Sequence, residues 1–206
     1  MVDILIRRGI VVTMDPERRV IEDGAVAIEG NRIVGVGRTE EVEAEYRADG
    51  TVIDAEGSIV MPGMISTHNH MLVYPTRNLD IPPPEGMTTI DLFGDLLCRW
   101  YWRKFEETAT EEDAYCGALQ MCINMVKCGV KLTADLIETP NAIPEALDST
   151  ARAVEEVGMR AILSFEASER ISPEHGEKGL KANIDFIKKW NKEGSRVIGW
   201  IGIHAP

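Results

Sequence analysis

The chain has 206 residues, 44% of them hydrophobic and 27% charged, which is enough to bury a sizeable core. Its net charge of −12 opposes binding to nucleic acid or to an anionic membrane, since both need a basic face. No apolar run approaches the ~20 residues of a membrane span. The first run, Ile4 to Met14, is broken by Arg7 and Arg8 and lacks the small-residue cleavage site of a secretory signal.

Up to about Glu56, short strand-like runs alternate with turn signals. The runs are Ile4 to Ile6, Gly9 to Met14, Ala25 to Glu29 and Ile33 to Val36, with Gly30-Asn31 as a hairpin turn pair. Val52 to Asp54 and Ile59 to Met61 add two more strands, and Pro62-Gly63 marks a passage to a different pattern. From Ile65 onward apolar strands alternate with helical stretches, the signature of βα units around a parallel sheet. The first of these strands ends in His68-Asn69-His70. An irregular stretch follows from Tyr74 to Thr89, with Pro82-Pro83-Pro84 and Gly86 opposing regular structure.

Thr110-Glu111-Glu112-Asp113 has the form of a capping box and predicts a helix running to Cys128, with Ala118, Cys122, Met125 and Val126 near helical spacing and Gly129 as its stop. The second strand is predicted at Val130 to Leu136, and the next helix at Ile143 to Val157, closed by Gly158. The third strand is Arg160 to Phe165. A helix over Glu177 to Trp190 then places Leu180, Ile184 and Ile187 on one face, and the fourth strand is Val197 to Ile203. Cys98, Cys116, Cys122 and Cys128 show no C-x-x-C spacing, and they read as reduced, packed thiols of a cytoplasmic protein.

The two histidines are the most informative residues. On a strand, side chains alternate between faces, so His68 and His70 point one way and Asn69 the other. Two imidazoles on one face can chelate zinc or iron; a packed pair at a strand end is the plain alternative.

Three segments together resemble the amidohydrolase superfamily of metal-dependent hydrolases, in the branch of cyclic-amidine deaminases and triazine chlorohydrolases. They are the opening short strands, Pro62-Gly63-x4-His68-x-His70, and the terminal Gly202-Ile203-His204-Ala205-Pro206. The resemblance implies an α/β fold: the first four strands of an incomplete (β/α)8 TIM-type barrel over residues 62–206, preceded by part of a small β-sandwich over residues 1–61. A whole barrel takes about 250 residues, so an N-terminal piece of a longer enzyme is expected. It further implies one divalent metal, zinc ahead of iron, held by His68 and His70, with the other ligands and the catalytic acid or base expected beyond Pro206. Such a metal brings bound water to a pKa of about 7 for attack on an electron-poor ring carbon, with loss of ammonia.

By the same resemblance His204 contacts substrate, with metal ligation or a structural imidazole as alternatives, and Glu106 contacts substrate, with a solvated helix-end acid as its alternative. Asp135 and Glu166, near strand ends, read as structural, and His175 as an exposed loop residue. Deaminases of adenosine type carry arginines at the end of strand three and in the loop after it. Phe165 and Gly179 stand there instead, with Lys178 or Lys181 as partial substitutes. The expected partner is a small-molecule substrate, with no nucleic acid and no membrane, and the full-length protein has room for homo-oligomers. The alternative function is a catalytically inactive split chain that acts by associating with a complementary one.

Overall fold

The computed structural model describes residues 1–78, Gly94, Trp102 and 104–204. The chain divides into two compact units, Met1–Pro62 and Gly63–Pro206.

In the first unit β1 (Val2–Val12) pairs antiparallel with β2 (Val20–Glu29) and parallel with both β4 (Ala48–Asp54) and β5 (Ile59–Val60), while β3 (Arg32–Arg38) closes a hairpin on β2, giving a mixed sheet. The two runs predicted at Ile4–Ile6 and Gly9–Met14 are one strand with a bulge between them. Arg8 there takes φ +61°, and a side chain on Gly9 would meet Val60 Cγ2 at 2.7 Å. Gly30, at φ +58°, makes the predicted β2–β3 turn. One short helix escaped the sequence reading: α1 (Thr39–Glu45), whose Val42 packs with Val2, Leu5, Ala25 and Ala27 as the core of this unit. An apolar groove of about 180 Å³, lined by residues including Ile6, Val26, Ile28, Ile33 and Val36, is left open.

In the second unit β6 (Met64–Asn69), β7 (Val130–Ile137), β8 (Arg160–Ala167) and the paired segments β9 (Val197–Gly199) and β10 (Gly202–Ile203) are all parallel, in the curled arrangement of half a TIM-type barrel. The fourth strand, predicted without a break, is interrupted between Gly199 and Gly202. There the Asn191 side chain takes the N–H and C=O of Gly199 at 2.6 and 3.0 Å. Helices α2 (Glu111–Lys127), α3 (Glu145–Val157) and α4 (Pro173–Trp190) accompany the sheet. The Thr110–Asp113 capping box forms as read from sequence, and Gly129 and Gly158 both adopt φ near +78° at helix ends.

Four expectations are corrected here. Helix α4 begins at Pro173, capped by Ser172, so His175 lies in its first turn, 8% exposed, with Nδ1 donating to the Ser168 carbonyl at 3.2 Å. The face of α4 that meets the sheet carries Gly179, Ala182, Asn183 and Phe186, whereas Leu180 and Ile184 are exposed. Polar Asn183 belongs in the core because it clamps the sheet: it accepts from Phe165 N (2.7 Å) and donates to the carbonyls of Phe165 (2.9 Å) and Gly202 (3.3 Å). The segment after His70 is regular as far as it is described, a 3₁₀ helix over Met71–Asn78 that contains Pro75. The Pro82–Gly86 stretch, Cys98 and Ala205-Pro206 lie outside the described residues. Cys122 is buried, but Cys116 and Cys128 are exposed rather than packed.

Candidate metal and substrate site

Side chains from four successive parallel strands converge at their C-terminal ends, which is where barrels of this kind build their sites. His68 and His70 arrive from β6. Asn69 between them turns away and donates to Ser66 Oγ at 2.6 Å and Thr133 Oγ1 at 2.7 Å, which fixes the face the histidines share. Their Nε2 atoms stand 3.1 Å apart, with the rings edge to face. His70 Nδ1 lies 3.1 Å from the Leu136 carbonyl, which can only accept, so Nδ1 carries the proton and Nε2 presents a lone pair. Two nitrogens on one tetrahedral zinc, with bonds of ~2.0–2.1 Å, sit about 3.3 Å apart. The pair therefore fits two ligands of one ion.

Behind the imidazoles lies a layer of buried carboxylates. Glu166, at the end of β8 and 4% exposed, directs Oε1 to His70 Nδ1 and Oε2 to His204 Nε2, each at 3.7 Å. Glu138, just past β7 and 3% exposed, faces His204 Nδ1 with Oε2 at 3.7 Å. Among the described residues, neither that oxygen nor that nitrogen has a hydrogen-bond partner. Arg170, in the loop after β8, gathers the remaining acids: its guanidinium lies 2.7 Å from Glu138, 3.0 Å from Glu107 and 3.5 Å from Glu106, and over the Trp102 ring. Trp102 in turn meets His204 edge to face. Asp135, fully buried, accepts from Met71 N at 2.6 Å and so anchors the chain that leaves His70.

The acids titrate unequally. Burial pushes Glu106 up to about 8, with repulsion from Glu138, Glu166 and Glu107 adding to it and Arg170 pulling back, so that it is largely protonated at neutral pH. Burial also raises Glu166, against the pull of His204 and His70. Asp135 is raised well above the carboxylate range by burial, the Met71 amide notwithstanding.

The structure thus gathers His70, Glu166 and His204 in one cluster, with Glu106 joined to it through Arg170 and Glu138. Glu106 is buried, which removes the reading of it as a solvated acid. Phe165 is turned into the core, and Gly179 lies in α4, where a Cβ would meet Phe165 Cδ1 at 2.9 Å. Lys178 and Lys181 are exposed on the same helix, with Lys181 paired to Asp185. The loop after strand three does hold an arginine, Arg170, which the sequence reading passed over together with Glu138. Glu138 directly follows a strand and Arg170 lies in the loop after one, the one signal that could have marked them.

A family model described as "Amidohydrolase family" matches residues 59–206. The chain belongs to the amidohydrolase family. A shorter match, to the imidazolonepropionase-like composite domain of bacteria, covers residues 24–48 of this amidohydrolase chain. It is 35% identical over its whole length to the 5'-deoxyadenosine deaminase of Methanococcoides burtonii, and 32% identical over 98% of its length to the 5-methylthioadenosine/S-adenosylhomocysteine deaminase of Carboxydothermus hydrogenoformans. It spans 43% and 42% of those two relatives' lengths. Among solved structures, an atrazine chlorohydrolase from Arthrobacter aurescens complexed with zinc superposes with a TM-score of 0.71 at 21% identity, over 97% of this chain and 46% of that one. An adenosine deaminase from Xanthomonas campestris with bound zinc gives 0.72 at 19%, over 97% and 42%. At such identities these two speak for the fold.

Proposed function

We propose that this chain forms the first half of a metal-dependent amidohydrolase barrel that removes an amino group from a heterocyclic amidine. The reading rests on the 3.1 Å convergence of the His68 and His70 Nε2 atoms, with His70 Nδ1 engaged by the Leu136 carbonyl. These two residues would hold one divalent metal, zinc before iron, and other parts of the complete polypeptide would supply the remaining ligands. When bound, the metal supplies Lewis-acid activation of water at neutral pH. The chain's own residues bind and orient the substrate. His204, part-exposed at the C-terminal end of the fourth strand, is placed to contact substrate with its ring. Glu106, held protonated by burial, can donate to a ring nitrogen as well as accept. The relatives' names put adenine nucleosides first among substrates to try. The free thiols of Cys116, Cys122 and Cys128 fit a cytoplasmic location.

The test is elemental analysis of the full-length protein and its variants. His68→Ala should lose stoichiometric zinc, because one missing ligand opens the coordination shell. His204→Ala should keep its zinc and lose substrate affinity or turnover. Unchanged zinc in His68→Ala overturns the assignment.

A second reading has its own observation. Trp200, Ile201 and Ile203 of the fourth strand, with Leu180 of α4, expose apolar surface along the open side of the half-barrel. A cleft of about 540 Å³ there is lined by residues including Leu180, Ile203 and His204 but reaches neither His68 nor His70. It suits the seat of a further βα unit better than a substrate. A split chain that works by associating with its complementary half would present such a surface, and co-expression of the two halves followed by co-purification tests it.

A further inference from the structure

Two of the four histidines described above are given separate tasks by the proposed function, His70 to the metal and His204 to the substrate. One buried carboxylate stands between them. Among the described residues, the nitrogen groups in ion-pair reach of Glu166 are the rings of His70 and His204, each 3.7 Å from a different oxygen of the same carboxylate. No lysine or arginine among those residues pairs with it, since Arg170 is spent on Glu106, Glu107 and Glu138. A carboxylate with 4% exposure needs compensation, and the two imidazoles are what the fold offers.

We infer that Glu166 is a positioning residue that ties the metal-binding His70 to the substrate-binding His204, so that one side chain sets the orientation of both. The inference rests on the reading of those two histidines given above. At 3.7 Å neither contact is a hydrogen bond, and such contacts tighten when a site is loaded. On the His70 side the carboxylate adds a through-space attraction to the ring whose Nδ1–H is donated to Leu136, and so helps keep Nε2 turned to the ion. On the His204 side Glu166 faces Nε2 while Glu138 faces Nδ1, so the ring is held edge-on between two buried acids. The orphaned Glu138 Oε2 and His204 Nδ1 close on each other with a small ring movement. Glu166 stays buried even though the half-barrel is open, which puts it behind the histidines rather than against substrate.

The experiment measures two readouts on the zinc-loaded full-length protein. Zinc affinity, by competition with a chromophoric chelator, should fall about 10- to 100-fold in Glu166→Gln, the range for partners that orient a ligating histidine. In the same variant the ring nitrogen resonances of His204, in ¹⁵N-histidine-labelled protein, should shift. Glu166→Asp, which keeps the charge, should recover part of both effects, and it carries the test if the glutamine variant does not fold. Glu138→Gln should shift His204 and leave zinc affinity unchanged. Wild-type zinc affinity in a folded Glu166→Gln, or movement of only one of the two histidines, overturns the inference. Failure of the metal reading itself shows separately, as undiminished zinc in His68→Ala.

Discussion

At the scale of single residues, burial and neighbouring carboxylates together set the protonation of one acid. Glu106 has a folded-state pKa of about 8, raised above the ordinary carboxylate value of 4.5 by burial and by Glu138, Glu166 and Glu107, with Arg170 opposing. The folded protein then holds a proton that the unfolded chain has released, so Glu106 contributes stability below pH 4.5 that declines as pH rises towards 8. Glu106→Gln has no such proton to lose. Its urea midpoint should therefore fall less than that of wild type between pH 5 and pH 8, and a parallel decline in both would contradict the assignment. The histidine pair was legible from sequence because two-residue alternation is a local rule. The Arg170 cluster was not, since Glu106, Glu138 and Arg170 come from three separate connections and meet only when the sheet is assembled.

At the scale of elements, the ends of α2 and α3 were read well, the start and the packing face of α4 poorly. Thr110, Asp113, Gly129 and Gly158 act through bonds and dihedrals within a few residues of themselves, so sequence suffices to place them. For α4 the apolar residues Leu180 and Ile184 suggested the packing face. The true face uses small residues for close approach and Asn183 for its hydrogen bonds, a choice that depends on strands far away in sequence. Helix α1 escaped for a related reason, being only about two turns of mostly polar residues. The same dependence on close approach governs α2. A Cβ on Gly117 would lie 2.6 Å from the Met71 carbonyl and 2.9 Å from that of Leu72, both backbone atoms of the segment that follows His70. Gly117→Ala should cost about 1–3 kcal/mol by overpacking and weaken zinc binding by displacing His70. Chemical denaturation and chelator competition check the two parts, and an unperturbed variant would mean that this contact is looser than described.

At the scale of the whole molecule, the fold class was legible because strand and helix periods alternate so regularly, and what was hidden is how unevenly the fourth strand is built. Among the described residues, the parallel sheet has open edges at β6 and β10, and large apolar side chains such as Ile65, Trp200, Ile201 and Ile203 are exposed. Expressed by itself, the 206-residue chain should be poorly soluble or should pair with a complementary half, and it should hydrolyse no amidine. Sedimentation and an ammonia-release assay test this; a monodisperse, active monomer would refute it. The clamp made by Asn183 carries a consequence for how such an enzyme can change. Segment β10 is two residues long, and the Gly202 carbonyl is gripped from α4, so the place of His204 is inherited from that helix, whereas the orientation of His70 is inherited from Leu136 on β7. On the roles proposed above, drift in the sequence of α4 shifts His204 first and reaches His70 only through the Glu166 they share, so substrate preference is freer to change in this half-barrel than metal retention.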